Sequence, residues 1–70
     1  MDGGIHAVDS WLQVHRRLLQ QEAAFTDLAL RAAKGEVPLE TLAAERAALM
    51  ELRDQCVAAY EKAFPAAQRA

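Results

Sequence analysis

Apolar residues fall along this chain with helical spacing, in two long runs parted by one internal break. Read at ~100° per residue, the first run places Val8, Trp11, Leu12, Val14, Leu18, Leu19, Phe25, Leu28, Ala29, Leu30, Ala32 and Ala33 on one wide arc. Gln13, Arg16, Arg17, Gln20, Asp27, Arg31 and Lys34 share the remaining polar strip, and Asp27 with Arg31 makes a favourable i,i+4 pair. In the second run Leu39, Leu42, Leu49, Leu52, Cys56, Val57, Tyr60 and Phe64 form the apolar face. Glu40, Glu51, Asp54, Gln55, Glu61 and Lys62 stand opposite. Val, Ile and Thr are few and never alternate with polar residues, so no strand is predicted.

The punctuation fixes the boundaries. Lys34-Gly35-Glu36-Val37-Pro38 is the break, and Phe64-Pro65 closes the second run. A first helix is predicted over about 9–34, with Met1 to Gly4 as a frayed start and Ile5 to Val8 as a possible extra turn. Asp9 or Ser10 can cap it, Ser10-x-x-Gln13 having the capping-box form. Gly35 suits the left-handed position after a helix end. After a turn at 35–37, a second helix is predicted over about 38–64, with Pro38 at its first position, and a short tail at 65–70. One helical-hairpin domain accounts for the whole chain.

Two long helices joined by a short turn pack as an antiparallel αα-hairpin. One partner helix cannot cover the wide arc of helix 1. A lone hairpin then leaves a patch of the kind that marks an interface. The expected interface residues are Trp11, Leu12, Leu18, Leu19, Phe25, Leu49 and Tyr60. The simplest closure is a homodimer, a four-helix bundle from two hairpins; the alternative is a different protein that supplies the missing helices.

Composition narrows the function. Eight Lys and Arg against ten Asp and Glu give a net charge of -2, which excludes a strongly basic nucleic-acid module and a polybasic membrane binder. One cysteine excludes an internal disulfide and a Cys-based zinc cage. Without a signal peptide or a long apolar run, the expected compartment is the cytoplasm, and no membrane partner is expected.

Polar residues on the apolar faces are the candidates for chemistry. Glu22 lies on helix 1's arc, and Arg46 and Arg53 on helix 2's face. If the turn centres near Glu36, Glu22 faces Met50, one turn from both arginines. A metal-binding or acid–base carboxylate is one reading of Glu22. The other, preferred, is a buried ion pair of Glu22 with Arg46 or Arg53, because an unpaired buried carboxylate is costly. The Glu-x-x-His pairs of di-iron bundles are absent: neither His6 nor His15 has a glutamate three residues before it. His15 faces Val57, near Cys56 and Tyr60, and a Cys–His pair can make a nucleophile. No third orienting group or oxyanion loop accompanies it, so a histidine at the bundle edge and a cysteine filling the core are the preferred roles. Arg46 and Arg53 could bind an anion, and Arg16, Arg17, Gln20, Arg31 and Lys34 could touch phosphates. Ion pairing and a solvated face, with Asp27 inside the strip, are the plainer roles. No catalytic residue, cofactor or metal site is expected, and the chain reads as non-enzymatic.

Two resemblances bear on function. The plan, a short helical hairpin able to pair into a four-helix bundle, resembles the ROP family of plasmid copy-number proteins. That resemblance covers both helices and implies RNA binding by helix 1's polar face, which the net acidity opposes. The turn Lys34-Gly35-Glu36-Val37-Pro38, followed by a long second helix, resembles the small hairpin co-chaperones of type III secretion needle subunits, which implies a helical protein partner. The expectation is therefore a protein-interaction or structural module acting as a homo-oligomeric bundle, with a chaperone-like hairpin as the alternative.

Overall fold

A computed structural model describes residues 3–65, with side chains from residue 5 onward. It consists of two helices, α1 (Gly3–Ala33) and α2 (Leu39–Ala63), and no strand occurs among the described residues. Contacts between them run in opposite chain directions. Trp11 meets Tyr60 and Phe64 at the open end. Glu22 meets Arg53 in the middle, and Phe25 shares a groove with Leu42 and Met50 nearer the turn. The chain is thus an all-α antiparallel hairpin, with principal extents of 52 × 20 × 16 Å.

The turn is built as its residues dictate. Gly35 takes φ +77°, which only glycine adopts without strain from a Cβ. Its N–H donates to the Ala32 carbonyl at 3.0 Å, and the Glu36 N–H donates to Arg31 at 2.9 Å. These two bonds are the Schellman arrangement, which satisfies carbonyls left over at a helix end. Pro38 differs from expectation. It is the N-cap of α2 rather than its first helical residue, with φ -68° and ψ 149°. Its carbonyl accepts the Thr41 N–H at 3.1 Å. The extended ψ turns the chain into α2, and the ring's fixed φ suits that corner. At the far end Phe64 leaves the helix at φ -130°, as the following Pro65 requires.

α1 also begins earlier than predicted. Asp9 and Ser10 lie within the helix, not at its cap, and Gln13 Nε2 donates to Asp9 Oδ2 at 3.3 Å instead of reaching back to Ser10. The reason is tertiary. α2 runs on to Ala63, and Ala7 and Val8 are half-buried, with Ala7 lining a cleft beside Ala58, Ala59 and Lys62. The additional α1 turns cover the end of α2. The start expected to fray at Met1 to Gly4 is helical at Gly3 and Gly4; Met1 and Asp2, and the expected tail after Pro65, lie outside the described residues.

Little is buried. Leu49, Leu52 and Cys56 form the core among the described residues. The chain exposes 5473 Å², whereas a compact monomer of its mass exposes about 4,300 Å².

Candidate functional site

The half-buried residues of α1 include one seam, Val8, Trp11, His15, Leu18, Glu22, Phe25, Ala29 and Ala32, spaced alternately by three and four. Leu42, Leu49, Leu52, Cys56, Ala59 and Ala63 answer it on α2. This alternation keeps one stripe of each helix facing the other along their whole length. Leu49, expected at an interface between hairpins, is instead only 6% exposed within one hairpin, because it sits on this seam. Trp11, Leu18 and Phe25 lie on the seam half-buried, and Leu12 is half-buried just beside it. Leu19 and Tyr60 stand exposed.

Two flanks border the seam. One is lined by Ser10, Arg17 and Gln21 of α1 and by Ala48, Glu51, Gln55 and Lys62 of α2. Helical spacing puts Leu12, Leu19 and Leu30 on the opposite side of α1, and Arg46, Arg53 and Tyr60 on the matching side of α2. There a groove of about 370 Å³ is lined by Phe25, Leu39, Leu42, Ala43, Arg46, Ala47 and Met50. The exposed large apolar residues of the described chain are Ile5, Leu19, Leu30, Leu39, Met50, Val57 and Tyr60. All of them belong to this second, apolar flank. Val14 and Leu28 border the polar flank, half-buried.

Two charged residues on the apolar side, Glu22 and Arg53, meet as a pair. Arg53 donates from one terminal guanidinium nitrogen to Glu22 Oε2 at 2.9 Å. The predicted burial of this pair is not found. In the single hairpin the Arg53 and Glu22 side chains are 56% and 37% exposed, because the pair lies where the seam opens onto the flank. Such an exposed pair contributes ~0–1 kcal/mol. Nor does Arg46 join it; Arg46 lines the groove towards the turn. The choice between the arginines follows from helix geometry, since side chains lean towards the N-terminus of their own helix. On α2 that direction is towards the turn. Arg53 therefore leans onto Glu22, while Arg46 leans away from it.

His15 stacks on Trp11, ring centroids 5.1 Å apart at 24°. Trp11 also meets Tyr60 and Phe64 edge-on, at 5.8 Å and 5.3 Å. Tyr60 lies 4.9 Å from Phe64. Sequence reading missed this cluster as a unit, although the positions of Trp11 and Phe64 near opposite ends of a hairpin chain were its signal. Among the described residues no hydrogen bond joins His15 to Cys56, and the Cys56 thiol is buried. Groups of three or more potential metal ligands do not occur there either. On the polar strip Arg31 Nε lies 3.3 Å from Asp27 Oδ2, so one cation of the strip is already paired. Neither helix is long and apolar enough to cross a membrane. Compared with family models, with curated proteins and with solved structures, the chain matches none.

Proposed function

We propose that the chain is a non-enzymatic interaction module that works as a homo-oligomeric helical bundle, two hairpins joining through their apolar flanks. One observation carries the reading: the exposed large apolar side chains gather on one flank of the seam. Scattered apolar residues are ordinary on a protein surface, but a gathered set marks an interface.

Light scattering across a dilution series tests this. A dimer that dissociates only on dilution, with loss of helix, is the expected result. A folded monomer at every concentration overturns it. That outcome favours the alternative, a hairpin whose apolar flank receives a helix from a different protein, as in chaperone-like hairpins.

A further inference from the structure

We propose that the two copies join in register with both turns at the same end, so that Glu22 and Arg53 of each copy close a four-charge ring with the partner's Arg53 and Glu22. This rests on the dimer reading above, and adds the geometry and the residues that select it.

Two twofold arrangements bring apolar flank against apolar flank. In one the axis runs along the hairpin. Each α1 then lies over the partner's α2, and every residue keeps its level. In the other the axis runs across the hairpin, α2 lies antiparallel on the partner's α2, and the turns point to opposite ends. Charge separates the two. The side-chain tips of Glu22 and Arg53 already meet at 2.9 Å, on different helices and open towards the flank. With the axis along the hairpin, Glu22 meets the partner's Arg53 and Arg53 meets the partner's Glu22. Acid and base alternate around the ring and its net charge is zero. With the axis across the hairpin, the α2 stripe meets its own copy. Arg46 and Arg53 lie on either side of Met50 in that stripe. Centring there stacks Arg46 on the partner's Arg53, twice, and like charges oppose each other in a low-dielectric interface.

An acid–base pair 37% and 56% exposed inside a largely apolar flank also acquires a role. It specifies register and orientation, the best-attested use of a polar contact in a helical bundle.

Three measurements separate the outcomes. Sedimentation of the unaltered chain comes first; a monomer there overturns the dimer reading and the ring with it. Next, Glu22→Arg and Arg53→Glu are made as separate chains, with circular dichroism confirming that each is helical. Each alone places four like charges in the ring and should weaken self-association by about 100-fold or more. An equimolar mixture should restore a one-to-one dimer, since one copy then carries two bases and the other two acids. Failure of the mixture to associate overturns the ring. Finally, nitroxide labels are attached at Glu36→Cys in a Cys56→Ala background and their separation is measured by pulsed electron resonance. Labels within about 25 Å of each other are expected. A separation near the length of α2, about 37 Å at 1.5 Å per residue, or beyond it, overturns the arrangement while leaving the dimer standing.

Discussion

The two flanks of the hairpin are cut from the same helices and border the same seam, yet they differ in kind. The polar flank presents Arg17, Gln21, Glu51, Gln55 and Lys62 around small residues. The apolar flank presents Leu19, Leu30, Met50, Val57 and Tyr60, with the Glu22–Arg53 pair between them. Water touches both sides of a lone hairpin equally, so the difference between the flanks is what the proposed pairing accounts for. Sorting shows that hydrophobic content beyond the seam is placed. It also locates the chain's one cross-helix ion pair among the described residues on the sorted side rather than the wet one.

The largest expected effect tests the sorting directly. Leu19→Lys together with Val57→Lys should abolish association, because each buried unpaired ammonium costs several kcal/mol. Gln21→Lys with Gln55→Lys, the same chemistry on the polar flank, should leave the dissociation constant within about threefold, in keeping with the small effects of surface changes. Equal loss from both pairs, measured by sedimentation equilibrium, removes the distinction between the flanks. Leu52→Ala comes next. It opens a cavity in the seam, not on either flank, and should cost about 2–5 kcal/mol in a urea melt. A smaller effect comes from the turn. At Gly35 a Cβ would meet nothing within 4 Å, so Gly35→Ala is opposed only by φ +77°. The expected loss is about 1–2 kcal/mol, less for Gly35→Asn, which tolerates that region. Smallest is Asp27→Ala on the polar strip. Losing the exposed pair with Arg31 should cost no more than about 0.5 kcal/mol, and less as salt is added.

The hairpin was legible because its punctuation is local. Gly35, Pro38 and Pro65 limit the helices through backbone geometry alone, and the chain obeys them to within a residue or two. The start of α1 was not legible, because packing against the end of α2 decides it. The seam was hidden for a different reason. His15, Glu22, Ala29 and Ala32 occupy α1's seam positions, and Ala59 and Ala63 those of α2. Leu39, Val57 and Tyr60, which a wheel counts as core, lie outside it. Hydrophobicity states which residues prefer burial; only the partner helix states which ones it covers. The Glu22 contact was half legible. Two arginines stood within reach by position, and the lean of helical side chains towards their N-terminus selects Arg53.

The placement of Trp11 makes the chain report on itself unevenly. It is the one tryptophan, and it sits at the open end of the hairpin against Tyr60 and Phe64. Contacts near the turn close short loops, whereas those of Trp11 close the longest, and loop-closure entropy rises with length. The expected order is that zipping starts at Gly35 and reaches the indole last. Tryptophan emission follows this final step, while far-ultraviolet dichroism averages over both helices. Melting curves from the two signals coincide only if opening is all-or-none. If emission changes at lower temperature, the gap between the curves measures how far the hairpin frays from its open end before the rest gives way.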